Sequence, residues 1–183
     1  MYEFTETEHF PLLCDDNPTL FLDIDGVLNS TFSINTPESH SCICQANLTP
    51  FQYILDSVPN LQIILSSSWR CHHTLEECKT LVNAYFNLQN VNLIGRTPIC
   101  STNQPAPQII NLRDLDKLPK NCIRGREIQY VLKQLQLSRY AILDDFDDFL
   151  PHQKHHLVRT NMHEGLTIAQ AKQVVEILLN ERL

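Results

Sequence analysis

The chain has 183 residues, 43% of them hydrophobic and 19% charged. This is the composition of one globular domain, and it excludes a wholly disordered chain. Lys plus Arg number 14 against 21 Asp plus Glu, a formal charge of -7. That balance argues against a protein that coats nucleic acid or anionic lipid by bulk charge.

Residues 1–18 form an acidic N-terminal extension without the basic and apolar regions of a common secretory signal. Thr19–Leu22 is an apolar run that halts at acidic residues and Gly26, as a buried strand does before a turn. A loop rich in Ser, Asn and Pro follows. Thr49 as N-cap and Pro50 at the first helical position predict a helix that ends before Pro59. Leu61–Leu65 is a second strand, stopping at three serines. Helical spacing covers Thr74–Leu88, and Val91–Ile94 is a third strand closed by Gly95. Residues 97–121, with four prolines, read as a loop-rich segment. Glu127–Leu137 is predicted helical, Tyr140–Leu143 and His156–Val158 are strands, and Thr167–Leu179 is a final helix. Strands alternating with helices predict an α/β fold over residues 1–183. Its core would be a five-stranded parallel sheet with helices on both faces.

Ligands of such sheets bind beyond the carboxyl ends of the strands. Three of these ends carry unusual residues. Asp23 and Asp25 follow the first strand, and alternation places both side chains toward one pocket. Ser66 and Ser67 follow the second. Asp144 and Asp145 follow the fourth, with Asp147 and Asp148 just beyond. Crowded carboxylates repel one another unless a cation or a shared proton compensates. Oxygen ligands of this kind suit Mg²⁺ together with a substrate phosphate. A carboxylate beside the metal can attack phosphorus and form an aspartyl-phosphate.

The stretches LFLDIDGVLN, IILSSSWR and AILDDFDDF resemble motifs one, two and four of the haloacid dehalogenase (HAD) superfamily of phosphatases. IGRTP, RGREIQYVL and LVRTNMHEGLT are similar to the compact HAD domain of Swiss Army Knife RNA-repair proteins. The same design occurs in bacterial effector phosphatases acting on phosphotyrosine. The resemblance implies a Rossmann-like fold and Mg²⁺. It makes Asp23 the nucleophile and Asp25 the general acid/base, with the Asp25 carbonyl also on the metal. Asp144 and Asp145 would be further metal ligands, with Asp148 a less favoured alternative to Asp145. Ser66 would hold the transferring phosphoryl group with help from the Ser67 amide and Gly26. The cation of motif three would be Arg124, which fits the RG-x-EI pattern; Arg126 is the second choice, and Lys117 and Lys120 lie further out.

The stretch between motif one and strand two is too short for a large cap domain. An open site of this kind admits a macromolecular phosphate. The acidic charge favours a phosphorylated protein or peptide, foremost phosphotyrosine, with no stable nucleic-acid partner. A ring from Trp69, Phe32 or Phe146 could pack against the substrate. Nucleotide or polynucleotide ends are the alternative, and an inactive HAD-fold binding module a distant third. A monomer is expected. Seven scattered cysteines, an odd number, suggest a reducing compartment, either a cytoplasm or, for an effector, a host cytosol. Neither His40-Ser-Cys42-Ile-Cys44 nor Cys71-His72-His73 has the spacing of a zinc finger or ribbon, and His152, His155 and His156 form no recognisable site.

Overall fold

The computed structural model describes residues 17–31, 45–86, 88, 91–99 and 122–180. Its elements in chain order are β1 (Thr19–Leu22), α1 (Gln45–Ser57), β2 (Gln62–Leu65), a 3₁₀ turn (Ser68–Cys71), α2 (Leu75–Phe86), β3 (Leu93–Arg96), α3 (Ile123–Leu135), β4 (Tyr140–Asp144), a second 3₁₀ turn (Pro151–His156), β5 (Leu157–Arg159) and α4 (Ile168–Leu179). The five strands form one parallel sheet in the order β3-β2-β1-β4-β5. The chain moves outward from β1 to β3 and then returns to the other side of β1. The order therefore reverses at β1, where open α/β sheets place their crevice.

Both faces of the sheet are covered, so β1 and β2 are buried along their whole length. Alternation divides the strand residues between two apolar layers. Leu20, Leu22, Ile63, Leu65, Ala141 and Leu143 join Phe51 and Ile54 of α1, Val82 of α2 and Val174 and Leu178 of α4. Phe21, Ile64 and Ile142 point the other way, onto Ile128, Val131 and Leu132 of α3. No cap domain is present among the described residues, and no helix among them is long and apolar enough to cross a membrane.

Several boundaries differ from the sequence expectation. Helix α1 begins at Gln45 and carries Pro50 in its interior. Thr49 is therefore no cap; its hydroxyl donates back to the Gln45 carbonyl at 3.1 Å. Helix α2 does start at a Thr74 cap, closed by reciprocal bonds with Glu77. Strand β3 runs through Gly95 because a bulge lies between the pairs Ile63–Leu93 and Ile64–Gly95, shifting the register by one residue. Helix α3 begins four residues early, at Ile123, because its first turn is capped from a distant segment. The Arg124 N–H donates to the Asp148 carboxylate at 3.3 Å and the Gly125 N–H to the Asp148 carbonyl at 3.2 Å. His156 belongs to the second 3₁₀ turn, so β5 starts at Leu157.

The ladder continues one residue past the strands. Asp23 N donates to Leu143 O at 3.0 Å, Ser66 N to Leu22 O at 2.7 Å, and Thr160 N to Asp144 O at 3.0 Å. The carboxyl edge that bears the candidate residues is thereby fixed at the level of the backbone.

Candidate active site

Asp23 leaves the end of β1 with 1% of its surface exposed. One carboxylate oxygen accepts the Ile24 N–H at 2.7 Å and the other meets Arg124 Nη1 at 2.8 Å. Asp144, wholly buried at the end of β4, uses the same two devices: Phe146 N–H donates at 2.9 Å and Arg124 Nη1 at 2.7 Å. Arg124 is thus a bridge between the first and fourth strand ends. A third bond from it, at 3.2 Å, reaches the Ser66 carbonyl on the second strand end. Among the described residues neither aspartate takes a bond from Arg126, although Arg126 shares the helix.

Arg124 reaches this point because α3 sits unusually close to the segment after β4. A Cβ on Gly125 would lie 2.7 Å from the Leu150 backbone nitrogen. Gln153 completes the contact, accepting the Leu150 N–H at 3.0 Å and donating to the Gly125 carbonyl at 2.9 Å. Gly26 plays a similar part beside β1. Its φ of +74 is one that side-chain-bearing residues rarely adopt, and a Cβ there would fall 2.6 Å from Asp145 Cγ.

Asp25 turns to a different set of donors. Asn29 donates to it at 2.8 Å and Trp69 Nε1 at 3.4 Å, both on Oδ1, and the Ser68 hydroxyl approaches Oδ2 at 3.5 Å. Asn29 also accepts the Gly26 N–H at 2.8 Å, so it holds both the turn and the carboxylate.

At the second strand end the two serines have different surroundings. Ser67 lies near enough to Asp23 to draw its pKa down, and its hydroxyl accepts the Trp69 N–H at 3.4 Å. Ser66 Oγ is buried without a hydrogen-bond partner. The backbone of Ser66 is still engaged with β1, which leaves Ser67 as the first residue free to turn toward the site.

Burial pushes the Asp23 carboxyl above its usual range, against the pull of Arg124 and the hydrogen bonds from Ser67 and Ile24. Burial, and then the neighbouring Asp23, push Asp144 up to about 7. Asp145 is raised by burial first and Asp23 second. Burial opposes the charge on Arg124, but Asp23, Asp144 and Asp148 outweigh it and hold the guanidinium above its ordinary value. Among the described residues Arg124 is the cation paired with Asp23 and Asp144.

Oxygens of Asp23, Asp144 and Asp145 lie within 4.8 Å of one another, and Asp145 Oδ1 is buried without a hydrogen-bond partner. An orphaned carboxylate oxygen in an all-oxygen cluster fits a hard divalent cation such as Mg²⁺. The Asp25 carboxylate is not in that group, and Asp148 is occupied in capping α3. Among the described residues no second cluster of metal-ligating side chains occurs, which includes Cys71, His72 and His73. His40, Cys42, Cys44, Phe32, Lys117 and Lys120 lie outside the described residues. His152 instead meets Gln129 at 2.6 Å, and His156 stacks on Tyr140 at 3.9 Å.

Mg²⁺ added at a hundredfold excess over its Kd is expected to stabilise the protein by about 2.7 kcal/mol. Asp144→Ala should remove most of that gain. Thermal melts with and without Mg²⁺ check this; an equal shift in the variant would place the cation elsewhere.

The family of HAD domains in Swiss Army Knife RNA repair proteins matches residues 19–171. The chain belongs to that family. The match begins with β1 and ends within α4, so it takes in all three strand ends. Neither a curated protein nor a solved structure matches the chain. Membership makes this HAD domain a phosphatase-type hydrolase, and the superfamily generally uses Mg²⁺.

The sequence pattern pointed to the aspartates and to Arg124. Two buried charges beside them went unread. Arg70 and Glu127 form an ion pair, exposed by 6% and 2%, under the loop that follows β2. Their signal was present in one respect: Glu127 stands three positions after Arg124, on a neighbouring part of the same helical surface.

Proposed function

We propose that this HAD domain hydrolyses phosphomonoesters through an aspartyl-phosphate on Asp23. The observation that carries the reading is the single guanidinium of Arg124, placed between Asp23 and Asp144 at 2.8 and 2.7 Å. A carboxylate so placed can attack phosphorus while its charge is balanced during the approach of a phosphate dianion. The Asp23 oxygen forms a bond to phosphorus and the ester oxygen departs with the bonding pair. Asp25 supplies the proton that the departing oxygen needs. Its Oδ2, which takes only the long contact from Ser68, is the oxygen suited to carry that proton. Asp25 then takes a proton from water as the water attacks the aspartyl-phosphate, returning Asp23 and releasing inorganic phosphate. Ser67 steadies Asp23 and the transferring group. Asp23, Asp144 and Asp145 would hold the Mg²⁺, which when bound supplies charge neutralisation to the phosphate.

For the substrate, the family's association with RNA repair favours the terminal phosphate of a polynucleotide. Phe146 supports a substrate that carries an aromatic ring close to its phosphate: it is 53% exposed and its ring centroid lies 5.5 Å from the Arg124 guanidinium carbon. A base or an aryl ring could stack there. Phosphotyrosine on a protein is the second reading, favoured by the net charge of -7, which repels a polyanion.

The test is kcat/KM over terminally phosphorylated oligoribonucleotides, phosphotyrosine peptides and phosphoserine peptides, all with Mg²⁺. Oligoribonucleotides should turn over best, with KM rising steeply as salt increases. Faster turnover of phosphotyrosine peptides, with little salt dependence, would replace the first substrate by the second.

A further inference from the structure

Arg70 is a buried arginine that touches neither aspartate pair. Its Nη1 donates to two successive carbonyls, Ser66 O at 2.7 Å and Ser67 O at 2.6 Å, while Nη2 is paired with Glu127. The Ser66 carbonyl is shared, because Arg124 donates to it as well. Glu127 and Arg124 both rise from α3, so one helix holds the loop after β2 from below, through Arg70, and from the side, through Arg124.

The geometry has a consequence at the site. Across a trans peptide the carbonyl and the following N–H point in opposite directions. There is no cis bond here. With both carbonyls drawn toward Arg70, the N–H groups of Ser67 and Ser68 face away from it. Neither of these N–H groups donates to a described residue. We infer that Arg70, held by Glu127, is a positioning residue that aims the loop after β2 at the phosphate and keeps it in register with Arg124. This rests on the phosphatase reading for its substrate, but the arrangement would orient any oxyanion bound beside Asp23. A lysine cannot replace the arginine here. One ammonium cannot span two carbonyls and a carboxylate in the planar fork that a guanidinium provides.

The test uses Arg70→Lys, and Glu127→Gln as the milder variant should the first fail to fold. Each is measured well below its melting temperature, with Mg²⁺ present, for kcat, KM and the affinity of inorganic phosphate by calorimetry. Arg70→Lys is expected to lose about 10–100-fold in kcat, the usual effect of removing a supporting partner, and to weaken phosphate binding. Glu127→Gln should show the same pattern, several-fold smaller. Combined with Arg124→Lys, the Arg70→Lys effect should be smaller than in the parent, because the two arginines act on the same carbonyl. Folded variants with parental kcat and parental phosphate affinity would overturn the inference, and so would fully multiplicative effects. A parent that binds phosphate but hydrolyses no ester tried would count against the phosphatase reading alone; the phosphate affinities would still decide the role of Arg70.

Discussion

Asp23→Asn is expected to fold as the parent does and to lose about 10⁴–10⁶-fold in kcat, the scale on which enzymes lose rate when a covalent nucleophile is removed. An amide nitrogen or oxygen cannot form the acyl-phosphate, so no residual route through this position survives. The fold should not suffer. Burial makes the Asp23 charge costly where it stands, and the amide removes that cost while keeping an acceptor for the Ile24 N–H. The lost ion pair with Arg124 works against this gain, although Arg124 keeps Asp144, so a folded protein with a melting temperature near that of the parent, together with absent turnover, is the expected pair of results. Turnover near the parental rate would remove Asp23 from the chemistry.

Arg124→Ala carries the second large effect. Among the described residues it takes away the one cation that meets both Asp23 and Asp144, and it leaves two buried carboxylates facing each other. Removing a preorganised electrostatic contact typically costs about 10²–10³-fold in kcat. Stripping one partner from a buried ion pair costs about 3–5 kcal/mol. Activity and stability should therefore fall together, and added Mg²⁺ should recover part of the stability. Arg126→Ala should do neither, because Arg126 contacts neither aspartate. Equal losses in the two variants, by steady-state kinetics and thermal melts, would contradict the assignment of Arg124 as the motif-three cation.

The aspartates were legible because strand alternation and the carboxyl-edge rule act on adjacent residues. Asp23 and Asp25 need only the end of one strand to be located, and Asp144 needs only the end of another. Arg124 was legible through the family-like pattern around it, not through local physics: the segment Arg124-Gly125-Arg126 looks like loop until the cap supplied by Asp148 is known. The two serines were legible as the end of β2 but not in their separate surroundings: Ser66 is tied to β1 by its backbone with its hydroxyl buried and unpartnered, while the Ser67 hydroxyl accepts the Trp69 N–H. Arg70 and Glu127 were the least legible. They lie 57 residues apart in the chain, and only the packing of α3 against the loop after β2 turns two ordinary surface-type residues into a buried pair. The same limit applied to β3, where a bulge on an edge strand displaced the apolar pattern.

The central claim is that Asp23 carries the phosphoryl group. It is tested most directly by quenching the enzyme during turnover of its best substrate, reducing the acyl-phosphate with borohydride and sequencing the peptides by mass spectrometry. Reduction should convert position 23 to homoserine in the parent, only when substrate and Mg²⁺ are both present, and never in Asp23→Asn. A trapped phosphoryl group at any other residue, or continued turnover with position 23 unmodified, would contradict the account.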